Sequence, residues 1–288
     1  MPHKTIHVFA PAKVNLFLHI TGKREDGYHL LQSLMGFVDV GDDLTFGPHD
    51  SLYIDVNGPF ASPLGNPRDN LVYKAAILLS EHYKVPPRAK INLTKNLPIA
   101  SGLGGGSSDA AATLLGLAKL WLLREDPDKL AEIAQKLGAD VTACLYKKLV
   151  WSEGIGEKIT RLPDMPDIHF VLANPMVQTP TPEVFRHFRN RFSPPLQFSG
   201  RRKTTAEWIA DLRIYRNDLT DAAITVTPEI RDVLAAIGGT AGCILHRLSG
   251  SGATCFGIYG NAEAAHVAAH TLKDQYPDWW VIRANMLR

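Results

Sequence analysis

Pro98-Ile-Ala-Ser-Gly-Leu-Gly-Gly-Gly-Ser-Ser108 places four glycines and three serines between two segments of different periodicity. Before it, residues 89–94 read as a strand. After it, Leu114, Leu117, Ala118 and Trp121 recur at the spacing of one helix face, predicting a helix over 108–123. Glycine lets backbone approach a ligand closely, and the first turn of a helix leaves N–H groups unpaired with a partial positive charge. A strand, a glycine turn and a helix in that order suit a phosphate. A flexible turn with a helix cap at Ser107 or Ser108 explains the glycines alone about as well. No Gly-Lys-Ser/Thr closes the stretch, so it is not a Walker A loop, and Ser107 stands where a dinucleotide fingerprint counted from Gly102 needs its third glycine. Asp109 is expected to point away from the loop, where its charge would otherwise repel phosphate.

Upstream, 7–10, 13–20 and 34–40 read as strands separated by glycine-containing turns, 52–56 as a further strand and 70–83 as a helix. Downstream, a helix ends at Gly138 with Asp128 as a candidate cap, and strands return at 150–151 and 157–160. A boundary is placed in the proline-containing stretch 162–166, giving domains 1–161 and 162–288. Beyond it, strands are expected at 168–173, 242–248, 253–259 and 279–284. Helices are expected at 182–191, 205–215, 228–237 and 262–276, with a Pro/Gly/basic loop at 193–203. Strands and helices mixed without strict alternation make this an α+β chain.

The 288 residues are 45% hydrophobic and 21% charged, the balance of a globular protein, and long enough for two lobes. Thirty-one Lys and Arg against 29 Asp and Glu leave +2, too little for a general polyanion surface, so nucleic acid is not an expected partner. The apolar stretch 110–123 is interrupted by Lys119 and falls short of the about 20 residues that span a bilayer, so no membrane is expected. Three widely spaced cysteines argue against a disulfide framework, and the first residues lack the apolar run of a secretory signal. A cytoplasmic protein is expected. His266 and His270 have zinc-ligand spacing without the glutamate of a metalloprotease helix. Asp39, Asp42 and Asp43 read as a solvated turn, and Cys255 as buried.

Three blocks resemble, in order, the motifs of the GHMP kinases, small-molecule kinases named after galactose, homoserine, mevalonate and phosphomevalonate kinases: Ala10-Pro-Ala-Lys-Val-Asn15, Pro98 to Ser108, and Leu248-Ser-Gly-Ser-Gly-Ala-Thr-Cys-Phe-Gly257. Gly22-Lys-Arg-Glu-Asp-Gly-Tyr-His29, Leu137-Gly-Ala-Asp-Val141, Gly154-Ile-Gly-Glu157 and the triple glycine 104–106 resemble the branch of that family whose substrate carries a cytidine diphosphate group and which serves isoprenoid synthesis. Thr142-Ala-Cys144 and Lys147-Lys148 depart from that branch's pattern.

The resemblance implies a two-lobed fold, with an N-terminal lobe like ribosomal protein S5 and a C-terminal ferredoxin-like lobe. It implies ATP and Mg²⁺ as cofactors, although no acidic cluster marks the magnesium ligands, and a monomer or weak homodimer. Asp140 would be the general base and Lys13 its partner. Pro98, Ala100, Ser101, Gly102, Leu103, Gly104, Gly105, Gly106, Ser107 and Ser108 would hold the phosphates, with Asn70 and Lys95 near the adenine. Asn15, Tyr28, His29, Thr181 and Phe185 would meet the second substrate, Tyr28 and His29 reading a cytosine, one by stacking and the other by hydrogen bonding, and Phe185 supplying a second stacking face. Taken singly, Asp140 reads sooner as a helix cap and Lys13 as a solvated strand residue, while Asn70 reads also as a cap, Lys95 as a surface lysine, and Tyr28 and Phe185 as core packing. Homoserine or mevalonate kinases and a non-catalytic nucleotide-binding sensor are the rival readings.

Overall fold

A computed structural model describes residues 5–61, 67–124, 126–163, 167–189, 191–197 and 204–288. Along the chain run β1 (Ile6–Lys23), β2 (His29–Gly47), β3 (Leu52–Asn57), α1 (Leu71–Tyr83), β4 (Ala89–Thr94), α2 (Gly105–Leu120), α3 (Pro127–Leu137), α4 (Ala139–Tyr146), β5 (Val150–Gly154), β6 (Lys158–Arg161) and β7 (His169–Asn174). They are followed by α5 (Thr181–His187), α6 (Thr205–Ile214), α7 (Thr220–Val226), α8 (Glu229–Gly238), β8 (Cys243–Leu248), β9 (Cys255–Tyr259), α9 (Ala262–Gln275) and β10 (Trp280–Asn285). No helix of the described residues is long and apolar enough to cross a membrane.

Two compact units share the chain unevenly. The first holds the described residues up to Ala12, Val40–Ile99 and Gly104–Lys147; the second holds Lys13–Asp39, Ala100–Leu103 and Lys148–Arg288. These units follow packing, and they interleave where the pattern-based domains 1–161 and 162–288 are contiguous.

In the first unit β4 pairs antiparallel with the Asp43–Gly47 end of β2 and parallel with β3. α1 buries Val72, Ala75, Ala76 and Leu79, one face at 3.6-residue spacing. α2 is buried around most of its girth, because Ala110–Ala112, Gly116 and Ala118 are small enough to let neighbours close in. A Cβ on Gly116 would overlap the buried Phe46 ring. Asp126 caps α3 by accepting from the N–H groups of Asp128 and Lys129, so the cap lies two residues before the one expected.

In the second unit β5 pairs antiparallel with Leu31–Met35 of β2 and with β6. A separate antiparallel sheet runs β10-β7-β9-β8. Its core joins Val171, Ala173, Leu248, Cys255 and Val281 to Ile230, Val233 and Ile237 of α8 and Ala265, Ala268 and Leu272 of α9. Buried Arg247 donates to the carbonyl oxygens of Leu16, Leu212 (2.6 Å) and Tyr215 (2.5 Å), tying β8 to β1 and to the end of α6.

Three expectations are corrected. The strands expected at 7–10 and 13–20 are one continuous β1, and the strand at 34–40 is part of β2; Gly36 and Gly41 sit within β2 as close-approach positions. A Cβ on Gly41 would overlap the Ala10 carbonyl oxygen. Asp42 belongs to no solvated turn but is fully buried on β2. The helix expected over 182–191 ends at His187, where Phe188 turns extended; residue 190 lies outside the described residues. So do 164–166 of the expected boundary and the expected 193–203 loop from 198 onward.

Candidate active site

α2 begins three residues before the expected Ser108. Gly104 precedes it with φ +64°, and no side chain caps it. The open amides of the first turn therefore belong to Gly105, Gly106 and Ser107, with Gly106 exposed and Ser107 half-buried. Ser108 is no cap either: its hydroxyl is buried and donates to the Pro11 carbonyl at 2.8 Å, anchoring the helix start to β1. Pro98 is buried and Ala100 exposed with φ +52°.

Asn70 caps α1, its Oδ1 accepting from Val72 N at 2.9 Å. Lys95 is not a surface lysine. Its ammonium lies between the carboxylates of Asp42 and Asp109, at 2.7 Å from the latter, and all three side chains are buried. Burial depresses the ammonium's proton affinity, but the two carboxylates outweigh that and leave its pKa raised. Asp109 faces inward, into the buried cluster beneath the start of α2, so its charge is met by Lys95 and is not held far from the loop as expected. Asp140, also in the first unit, is half-buried in the first turn of α4, where the helix dipole favours a carboxylate. Gly138 both ends α3 and opens α4.

In the second unit Lys13 is buried on β1 and donates Nζ to Asn15 Oδ1 at 2.5 Å, which removes the solvated reading. Asn15 Nδ2 donates to Ser33 Oγ at 2.8 Å, and Ser33 Oγ to the Phe17 carbonyl at 2.6 Å. The Asn15 N–H donates to Ser249 Oγ at 3.2 Å, and the Ser249 hydroxyl donates to the Gly102 carbonyl at 3.0 Å. Thr254 N donates to the Ser101 carbonyl at 3.0 Å, and Lys13 N to that of Leu103 at 2.9 Å. The structure thus brings parts of all three family blocks into one hydrogen-bonded set. Gly102 has φ +78°, and a Cβ there would overlap the Ser249 carbonyl oxygen, so glycine is required.

Tyr28 follows a tight turn in which Gly27 has φ +91°. Its ring is 61% exposed, which excludes core packing. His29 stacks on Phe185, ring centroids 5.2 Å apart and planes at 27°, with Phe188 edge-on at 5.6 Å. Phe185 is half-buried against the second unit's core. Thr181, at the start of α5, shares a 2.7 Å hydrogen bond with Ser251 of the late glycine segment. Ser33, Ser249, Asp42 and Asp109 went unassigned to the site in the sequence reading. Only Ser249 stood inside a motif that could have flagged it.

Family models match twice, the GHMP kinases N terminal domain over 70–148 and the GHMP kinases C terminal region over 200–278. A 4-diphosphocytidyl-2-C-methyl-D-erythritol kinase from Paramagnetospirillum magneticum is 45% identical over 278 residues, covering 96% of this chain and 97% of its own. The chain belongs to the GHMP kinase family. Within it, a crystal structure of 4-(cytidine 5'-diphospho)-2C-methyl-D-erythritol kinase superposes with TM-score 0.81 at 33% identity, covering 98% of this GHMP kinase and all of that chain. A homoserine kinase from Cytophaga hutchinsonii shares the fold at TM-score 0.76 with 19% identity, over 99% of this chain and 96% of its own. The two-lobed α+β fold of the family is therefore that of this chain.

Proposed function

We infer that this chain transfers the γ-phosphoryl group of ATP to the 2-hydroxyl of 4-(cytidine 5'-diphospho)-2-C-methyl-D-erythritol, giving the 2-phosphate and ADP in the methylerythritol phosphate route to isoprenoid precursors. The 45% identity along nearly the whole of both chains carries this reading, because the homoserine kinase shares only the fold.

Phosphoryl transfer asks chiefly for positioning and charge stabilisation. Asp140 takes the proton of the acceptor hydroxyl as the new O–P bond forms and the bond to the β-phosphate's oxygen breaks. Lys13, oriented by Asn15, supplies the cation that fixes that hydroxyl and offsets developing charge. The residues from Pro98 to Ser108 grip the phosphates through backbone N–H groups. Asn70 and Lys95 serve the adenine side through the structure they fix, the start of α1 and the end of β4. Of Tyr28 and His29, one stacks on the cytosine and the other hydrogen-bonds to it, Phe185 offers a second stacking face, and Thr181 adds a hydroxyl from the same helix as Phe185.

Magnesium bound with ATP would neutralise charge on the phosphates. Among the described residues no three His, Cys, Asp or Glu side chains gather to hold a metal, and no step is assigned through the ion. The reaction is placed in the cytoplasm, which supplies ATP.

Purified protein given Mg·ATP and the cytidine diphosphate substrate is expected to form ADP and the 2-phosphate. Turnover of homoserine or mevalonate in its place would transfer the assignment to those kinases. ATP binding without turnover of any of these alcohols would favour a nucleotide sensor.

A further inference from the structure

Beneath the first turn of α2 lies a cluster that the transfer step does not use. Lys95, the residue after β4, bridges Asp42 Oδ2 of β2 and Asp109 Oδ2 of α2. Asp42 Oδ1 accepts from the N–H groups of Asn96 at 2.6 Å and Leu97 at 2.9 Å, the residues that lead into the glycine-rich turn. A Cβ on Gly105 would lie 3.4 Å from Lys95 Nζ and 3.5 Å from Asp42 Oδ2, so the ions sit directly under the first residue of the helix. Chain approaching the turn from β4 and chain leaving it as α2 are thus held by the same three side chains.

The charges do not balance. Two carboxylates share one ammonium, and Asp109 Oδ1 is buried without a hydrogen-bond partner. With both carboxylates ionised, the cluster carries one net negative charge next to the amides assigned above to phosphate.

We propose that Asp42, Lys95 and Asp109 are positioning residues for the first turn of α2, and that Asp109 takes up a proton from solvent when nucleotide phosphates bind there. The proton adds to Oδ1, with water or buffer as its donor, and no other bond changes. The inference rests on the ATP reading. A polyphosphate arriving at the helix start raises the cost of the cluster's excess negative charge, and the bare oxygen is the atom at which that charge is removed at least cost. The charged groups acting on Asp109 are Lys95 from β4 and Asp42 from β2. None of α1, α3 and α4, which also pack against α2, brings another, and its neighbour toward β1 is the uncharged Ser108–Pro11 hydrogen bond. Burial lifts the Asp109 carboxyl to about 7, Lys95 opposing and Asp42 adding to the rise, so the free protein stands where a modest push moves the proton. Raising such a group by about one unit at pH 7 takes it from about half to about nine-tenths protonated, an uptake of about 0.4 proton per site.

Calorimetric titration of the full chain with ADP at saturating magnesium, at pH 7 in buffers of different ionisation enthalpy, reads that uptake. Wild type is expected to gain about 0.4 proton per ADP bound, and Asp109→Asn none. Binding without proton exchange in wild type, or equal uptake in Asp109→Asn, overturns the inference while leaving the ATP reading intact. Absence of any ADP binding overturns the ATP reading itself. Should Asp109→Asn fail to fold, carbon-13 carboxyl spectra of wild type decide: one carboxyl titrating near neutrality in free protein and held protonated by ADP is expected, and its absence overturns the proposal.

Discussion

Lys95→Met tests the buried cluster most directly, because it removes the cation and leaves the methylene stem. Asp42 is fully buried, and the Lys95 and Asp109 side chains are 6% and 4% exposed, so the remaining carboxylates cannot turn to water. Breaking a buried ion pair from one side costs about 3–5 kcal/mol, and for a chain of this size each kcal/mol lowers the midpoint of thermal unfolding by about 2–4 °C. A loss of roughly 10 °C at pH 8 is therefore expected by calorimetry or circular dichroism. The deficit has a pH dependence whose sign follows from Asp109. Its folded pKa, about 7, lies above the ordinary aspartate value of 3.8. The folded state thus binds the extra proton, and that contribution is complete below about 4 and lost as pH rises through 7. Without Lys95 the carboxyl is pushed higher still, so the variant should gain about 1.4 kcal/mol per pH unit from pH 8 to 6 where wild type gains about half that, and the deficit should narrow by about 1.4 kcal/mol over the range. Adding Asp109→Asn to Lys95→Met should recover part of the loss at pH 8. A deficit below about 1 kcal/mol, or one unchanged between pH 6 and 8, would refute the uncompensated-charge reasoning.

Gly102→Ala forces a Cβ into the Ser249 carbonyl at positive φ; it should cost about 3 kcal/mol and raise the Michaelis constant for ATP, as read by urea unfolding and steady-state kinetics. Asp140→Asn should leave calorimetric ATP affinity in place while turnover falls on the order of a hundredfold or more; near-normal turnover would remove its role as base. Arg247→Met leaves three carbonyl acceptors without their donor and should cost roughly 3 kcal/mol in urea unfolding. Arg247→Lys should recover only part of that, since an ammonium cannot reproduce the guanidinium fork.

Elements with a period were legible: β3, β4, α1 and the β8-to-β10 region fall within one or two residues of their expected bounds. Short elements between stronger signals were not. α4 spans 8 residues directly after Gly138, and α7 is a 7-residue helix rich in β-branched side chains, so neither shows a helical stripe. The start of α2 was misread because Gly105 and Gly106 are poor helix formers, held helical by the packing around them. At the site, the glycine block and its family pattern named the backbone that matters. Asp42 was lost to a run of three nearby acids, because only the fold tells which is turned inward. The two hydrogen bonds of the Ser249 hydroxyl join positions 15, 102 and 249, separations that no local pattern encodes.

The chain changes unit at five points, after Ala12, Asp39, Ile99, Leu103 and Lys147. Neither half can therefore be excised as a gene fragment: any single cut strands part of one unit on the wrong piece. During synthesis, Lys13–Asp39 emerges early but cannot complete its unit until residues beyond 148 have left the ribosome, so its apolar strand surface waits on distant partners.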